Sequence, residues 1–189
     1  MKRKKLALLD LGGVVFQSTG VSNEKVKWNI ISKLNEKYGH GLNIGKDLFP
    51  EFMAEYNELT AQDLRGEAFL ESVFDTLEIN RELIEILREE REIVIVSDNY
   101  RENIAYTSRR YAFDSWAFKQ VYSFDYQMVK ENPLFFEKLL AELDAYDKES
   151  MIFIDDSIEK IASAAKHGIR GIRFENNEQI RRELNRNRS

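Results

Sequence analysis

Residue types capable of chemistry fall in four short blocks: Asp10-Leu11-Gly12-Gly13-Val14, Ser97-Asp98-Asn99, Lys130-Glu131-Asn132-Pro133 and Asp155-Asp156-Ser157. An aspartate carboxylate can act as a nucleophile and take a phosphoryl group to form an aspartyl-phosphate. If Asp10, Asp155 and Asp156 converge in one cleft, they repel and raise one another's pKa unless a cation is present. Magnesium is the natural choice, because it is hard, takes oxygen ligands and shares its shell with phosphate and water. Each block alone has a plainer reading. Asp10 could cap a turn, Ser97 could be a turn residue, and a lone lysine such as Lys130 is usually solvated. Asp155-Asp156 could cap a helix, although one aspartate would suffice for that. Four such blocks in one chain are a sharper signal than any one of them.

The elements that must position these blocks read as strands and helices in alternation. The apolar runs Leu6-Ala7-Leu8-Leu9, Ile93-Val94-Ile95-Val96, Val121-Tyr122-Ser123-Phe124 and Met151-Ile152-Phe153-Ile154, with a weaker run at Ile169 to Phe174, lack polar alternation. That fits strands buried on both faces of a parallel sheet. Helical spacing appears at Arg81 to Glu90, at Asn132 to Leu143 behind an Asn-Pro start, and at Ile158 to His167, stopped by Gly168. The class expected is α/β, a doubly wound parallel sheet, in which ligands bind beyond the carboxyl ends of the strands. The interval from Gln17 to about Asn80 shows no convincing strand. Ser22 is expected to cap a helix carrying Val26, Ile30, Leu34 and Tyr38, ended by the loop Tyr38-Gly39-His40-Gly41. Further helices are expected at Phe52 to Leu59 and Ala68 to Leu77. Some 60 helical residues between two strands are too long for a crossover and read as an inserted module. The division expected is a core of 1–16 and 85–189 with a helical cap of 17–84. Trp28, Phe49, Phe52 and Tyr56 are expected in its core.

Composition excludes several kinds of chemistry. The chain has 189 residues, no cysteine and two histidines, His40 and His167. Disulfides, a thiol nucleophile, cysteine-bound zinc and a multi-histidine metal site are thereby ruled out. His40 is expected in a loop and His167 at a helix end. A net charge of −5 argues against nucleic acid as a partner, and no apolar run approaches the roughly 18 residues of a membrane span. Lys2 to Lys5 and the apolar stretch behind them resemble a signal peptide only faintly, because Asp10 interrupts the stretch. A polar lead-in to a strand and a cytoplasmic location are expected. The basic tail from Arg181 to Arg188 reads as the solvated face and end of a last helix.

The order and spacing of the blocks resemble the haloacid dehalogenase-like (HAD) hydrolase superfamily over nearly the whole chain. The resemblance rests on Leu9 to Val14, on Val96-Ser97-Asp98-Asn99 and on Lys130 to Phe136. It also rests on Phe153-Ile154-Asp155-Asp156-Ser157, followed by Ala164-Ala165-Lys166-His167-Gly168-Ile169. The branch most similar is that of glucose-1-phosphate phosphatases and the N-terminal domains of soluble epoxide hydrolases, and Arg65-Gly66-Glu67 resembles the cap of that branch. The resemblance implies a Rossmann-like core with an inserted cap and a magnesium-dependent phosphatase acting on a small phosphorylated metabolite such as a sugar phosphate. It implies Asp10 as nucleophile and Lys130 as the lysine balancing nucleophile and phosphoryl charge. It implies Ser97, the Asp98 N–H and Lys130 as phosphate contacts, and Asp10, the Gly12 carbonyl, Asp155 and Asp156 as magnesium ligands.

One position departs from the family pattern. Family phosphatases usually carry a second aspartate two residues after the nucleophile, which protonates the leaving oxygen. Here that residue is Gly12, and a positioned general acid contributes about 10²–10⁴-fold. Two alternatives therefore stand beside the phosphatase. One is a metal-independent dehalogenase-type hydrolase, whose halide leaving group needs no acid. The other is a catalytically impaired protein that binds a phospholigand.

Overall fold

A computed structural model of the chain describes residues 5–186. Lys2 to Lys4 and Arg188 lie outside the described residues. The first strand, β1 (Lys5–Leu9), leads into a ribbon strand β2 (Phe16–Ser18). Then come helices α1 (Trp28–Leu34), α2 (His40–Asn43), α3 (Phe49–Thr60) and α4 (Gly66–Phe74). The second ribbon strand β3 (Leu77–Ile79) and helix α5 (Arg81–Arg88) return the chain to the sheet at β4 (Arg91–Ser97). Beyond it follow α6 (Arg101–Tyr111), β5 (Lys119–Tyr122), the single turn α7 (Ser123–Tyr126) and α8 (Pro133–Glu142). The chain ends with β6 (Met151–Asp155), α9 (Ile158–Lys166), β7 (Arg170–Arg173) and α10 (Asn177–Asn185).

The main sheet has five strands in the order β5-β4-β1-β6-β7, all paired in parallel. Strand β1 is central, with Leu9 opposite Ile95 on one side and Ile154 on the other. Alternate side chains explain why these strands read as unbroken apolar runs. Ala7, Leu9, Ile93, Ile95, Ile152 and Ile154 face one layer, where they pack with Leu83 and Leu87 of α5 and Ile180 of α10. Leu6, Leu8, Val94, Val96, Met151 and Phe153 face the other, against Phe135, Phe136 and Leu139 of α8 and Ala164 of α9. Both faces are covered, so no position along the strand favours a polar residue. Each buried Leu, Ile, Val, Met or Phe side chain among them contributes about 1.5–3 kcal/mol.

The interval between β1 and β4 differs from expectation in three ways. It contains strands: β2 and β3 pair antiparallel, Phe16 opposite Ile79 and Ser18 opposite Leu77. Three residues each are too few to show a period in sequence. The first helix begins at Trp28, not near Ser22, because Lys25 and Lys27 are held instead by Tyr56. The Tyr56 hydroxyl accepts from the Lys27 N–H at 2.9 Å and donates to the Lys25 carbonyl at 2.6 Å. The Tyr38–Gly41 segment is not a loop, and His40 is helical. The helix runs on through a π-helical stretch, Asn35–Gly39, into α2. Gly41 serves close packing there, since a Cβ at that position would stand 2.6 Å from Leu48 Cδ1. The third sheet strand also ends earlier than expected, at Tyr122, where Ser123 starts α7.

Helices α1 to α4 have a core of their own, built from Ile31, Leu34, Phe52, Tyr56, Phe69 and Leu70. Phe49, Phe52 and Tyr56 are buried in it as expected, whereas Trp28 is 49% exposed. The β2–β3 ribbon ties the two ends of this helical segment together, and the Asn80 N–H donates to the Val15 carbonyl at 2.7 Å beside it. Helix α5 packs on the sheet.

Candidate active site

Asp10 immediately follows β1, Asp155 ends β6, and the two strands are neighbours. Their carboxylates and that of Asp156 each place an oxygen within 4.8 Å of the others. Asp10 and Asp155 are buried and Asp156 is exposed. Lys130 reaches them from the loop before α8. Its ammonium lies 2.8 Å from Asp10 Oδ1 and 2.6 Å from Asp155 Oδ2, and also donates to the Val96 carbonyl at 3.2 Å. Lys130 is fully buried. Burial acts to lower its pKa, but the charges of Asp10, Asp155 and Asp98 outweigh it and hold the group above the ordinary lysine range.

The two adjacent acids of the fourth block have different surroundings. Asp155 is occupied on both oxygens, since Oδ1 accepts from the Ser157 N–H at 2.9 Å while Oδ2 meets Lys130. Among the described residues, no lysine pairs with Asp156 at this range. Burial, with the charges of Asp10 and Asp155, pushes its carboxyl above the usual range. Neither acid caps α9, because that role falls to Ser157, whose hydroxyl accepts from the Lys160 N–H. The pair is thus free of the capping function that would otherwise explain it.

Gly12 and Gly13 shape the turn after Asp10. Gly13 takes a φ of +70°, and a Cβ there would stand 2.3 Å from Asp156 Oδ2. Glycine at 13 therefore serves both the left-handed backbone and the approach of the acid. A Cβ at Gly12 would meet nothing within 4 Å.

Ser97, the last residue of β4, is buried. The Asp98 side chain is a scaffold. Oδ1 accepts from the Lys130 N–H at 3.0 Å and Oδ2 lies 3.3 Å from Lys160 Nζ. Burial raises its pKa against the pull of Lys130 and Lys160. Ser163 completes the support by donating from its hydroxyl to the Lys130 carbonyl at 2.9 Å. Lys160 and Ser163, on α9, were not read from the sequence. A lysine and a serine on an amphipathic helix carry no signal until the fold sets that helix beside Lys130.

A pocket of about 350 Å³ opens beside the Gly12-Gly13 turn, between it and the helical segment. Phe16, Trp28, Phe52, Phe69 and Phe74 line it, with Tyr100 and Asn103 from the α6 side. Among the described residues, none that lines it is charged. A polar cleft reaching Asp98 and Lys160 shares Asn35, Asn99, Tyr100 and Asn103 with it. Helix α6 and its contribution to this wall had no counterpart in the sequence reading. Its buried face is only Ile104 and Thr107, too sparse for an apolar period.

No protein-family model matches the chain, and no curated protein matches it. Solved structures do. A HAD-family enzyme of Bacteroides thetaiotaomicron, an alanine variant crystallised with magnesium and inorganic phosphate, aligns with a TM-score of 0.70 at 20% identity, covering 91% of this chain and 94% of that one. A HAD phosphatase of Thermococcus onnurineus aligns at 0.60 with 16% identity, over 92% and 87%. A 2-haloacid dehalogenase of Pseudomonas syringae aligns at 0.58 with 17% identity, over 90% and 86%. The chain has the HAD-like fold, a Rossmann-like α/β sheet flanked by helices. Among the described residues, no helix is long and apolar enough to cross a membrane.

Proposed function

We propose that the protein is a magnesium-dependent phosphatase of small organic phosphates, working through an aspartyl-phosphate on Asp10. The observation that carries this reading is the buried arrangement of Lys130 between Asp10 and Asp155, with Asp156 in the same cluster. Three carboxylates share one buried lysine there, a charge excess that suits a divalent cation. The donor set is all oxygen, which fits magnesium, and the Bacteroides enzyme of this fold was crystallised with that ion. Asp10, Asp156 and the Gly12 carbonyl would hold the ion, and Asp155 would orient Lys130. When bound, magnesium supplies charge neutralisation at the transferring phosphoryl group.

In the reading proposed, Ser97, the Asp98 N–H and Lys130 hold the phosphoryl oxygens. An oxygen of Asp10 attacks phosphorus, the bond from phosphorus to the leaving oxygen breaks, and the electron pair departs with that oxygen. Gly12 offers no acid, so the departing oxygen takes its proton from solvent. Water then attacks the phosphorus of the aspartyl-phosphate, freeing Asp10 and releasing phosphate. Lys130 compensates the charge of Asp10 before attack and that of the phosphoryl group in the aspartyl-phosphate. Helices α1 to α4 act as a cap, within residues 17–84, and a cytoplasmic location suits the cysteine-free chain.

Mass spectrometry of acid-quenched protein during turnover tests the reading. A phosphoryl group is expected on the peptide bearing Asp10. Asp10→Asn is expected to lose both it and hydrolysis while keeping the wild-type melting profile. Retained hydrolysis in that variant would exclude Asp10 as the nucleophile. Gly12 supports the dehalogenase-type alternative, since halide departs unprotonated. That reaction hydrolyses an ester at the Asp10 carboxyl carbon, so single turnover in ¹⁸O-water would label Asp10, whereas the phosphatase labels the released phosphate.

A further inference from the structure

We infer that the substrate's leaving group is an uncharged, mainly apolar ring or chain bearing few hydrogen-bonding groups, seated in the pocket beside Gly12. The inference rests on the phosphatase reading and narrows its substrate away from sugar phosphates. Four observations converge on it. The pocket is bounded on one side by the Gly12-Gly13 turn that follows Asp10, and in the mechanism proposed the leaving group is assigned to it. Its volume of about 350 Å³ lies in the range of small-ligand sites.

The lining is preformed and mostly apolar, its polar side chains being Asn35, Asn99, Tyr100 and Asn103. Phe52 and Phe69 pack edge to face at 5.8 Å between centroids, and Phe16 and Phe74 do so at 5.1 Å. These four rings are buried and brace one another, so the wall needs no ordering when a ligand enters. With no charged residue in the lining, a second phosphate or a carboxylate on the leaving group would be desolvated without a partner. Those hydroxyls of a sugar that turn toward the rings would meet aromatic carbon for the same loss.

Two side chains in the lining lack a satisfied place in the protein alone. Trp28 is 49% exposed although most aromatic residues of the helical segment are buried, and it lies at the pocket's margin. The Asn103 Oδ1 is buried with no hydrogen-bond partner. Unpaired buried amides are rare because each costs the desolvation of the group. A ligand that brings one polar group to Asn103 and stacks on Trp28 satisfies both.

The test compares kcat/KM, with magnesium, for primary-alcohol phosphates: 2-phenylethyl phosphate, 2-(4-hydroxyphenyl)ethyl phosphate and glucose 6-phosphate. Acetyl phosphate, which has almost no leaving group to seat, reports the phosphatase reading by itself. The expected result is about a 100-fold preference for the arylalkyl phosphates over glucose 6-phosphate. In Trp28→Ala that preference is expected to fall about tenfold. In Asn103→Leu the phenol-bearing substrate loses its advantage over the plain phenyl one. Hydrolysis of acetyl phosphate without preference among the others overturns the inference and leaves the phosphatase reading standing. If no phosphate is hydrolysed, the phosphatase reading falls, and binding decides the pocket. Trp116→Phe leaves Trp28 as the single tryptophan, and its fluorescence is titrated with 2-phenylethanol and with glucose. Saturable quenching by 2-phenylethanol alone upholds the apolar site; equal or no response to both overturns it.

Discussion

In the phosphatase proposed, placing a carboxyl at position 12 should turn a reaction limited by its leaving group into one that tolerates poor leaving groups. Gly12→Asp is sterically permitted, because a Cβ there meets nothing within 4 Å and its φ lies outside the left-handed region. Replacing a glycine in a compatible conformation also restricts the unfolded chain, which stabilises by about 0.4–1 kcal/mol. The new carboxyl joins Asp10, Asp155 and Asp156 around a single buried lysine. Like charges raise its pKa, which favours the protonated form that a general acid requires. Such an acid is worth about 10²–10⁴-fold, equivalent to roughly 3–5 kcal/mol of barrier at about 1.36 kcal/mol per tenfold. The gain should appear on alkyl phosphates and nearly vanish on aryl, acyl and anomeric phosphates, whose leaving oxygens already carry negative charge well. The assay is kcat/KM across a series of phosphate monoesters graded by leaving-group pKa, in both proteins. Wild type should give a steep dependence, including faster turnover of glucose 1-phosphate than of glucose 6-phosphate, and Gly12→Asp a shallow one. A flat wild-type series with chemistry rate-limiting would refute the reasoning, since another group would already be donating the proton. Equally damaging would be a folded Gly12→Asp protein whose alkyl phosphate rates match wild type.

Three other outcomes follow from the same cluster. Gly13→Ala should weaken magnesium binding by at least about tenfold, because its Cβ would displace the Asp156 carboxylate from 2.3 Å and strain a left-handed backbone by about 1–2 kcal/mol; unchanged affinity by calorimetry would contradict this. Asp156→Ala should lose most magnesium affinity yet melt no lower than wild type in the metal-free state. Its carboxyl pKa is raised in the fold, so ionised Asp156 opposes folding above that pKa; a lower metal-free melting temperature would count against the repulsion. Lys130→Met should cost about 3–5 kcal/mol by leaving Asp10 and Asp155 buried without their cation, a fall in melting temperature of roughly 6–20 °C. The lysine's pKa is raised, so its contribution is complete below the ordinary lysine value and is lost only as pH rises above it. Wild type should therefore show no stability loss from this group between about pH 8 and 10.

Most of the sheet was legible because a strand buried on both faces needs an unbroken apolar run, and that run is visible one residue at a time. Asp10 and Asp155-Asp156 were legible for a related reason: acids directly behind such runs have no part in a core, and order along the chain fixed which strand ends carried them. The adjacency of β1 with β4 and β6, which the site requires, is seen in the pairing. The helix interval was read less well. Gly39 and Gly41 looked like breaks, yet Gly41 is there to admit Leu48, a contact seven residues along the chain that local propensity does not encode. The three-residue strands β2 and β3 exist because they meet each other across the whole insertion, not because either has strand character alone.

What only the tertiary structure decided was the division of labour among like residues. In sequence Asp155 and Asp156 are adjacent and chemically equal, and folding alone puts Lys130 on Asp155 and leaves Asp156 toward Gly13. Asp98 looked like a phosphate neighbour by its backbone, and its carboxylate proved to be the brace that holds Lys130 and Lys160. Trp28 was grouped with Phe52 and Tyr56 as core, but the helix turns it outward at the pocket's margin. Residue type and order determine which chemistry is possible, because they set the charges, the donors and the strand ends. Which atom faces which partner depends on distances between segments far apart in the chain, and electrostatic and packing energies change over one or two ångströms, a scale on which the sequence carries no record.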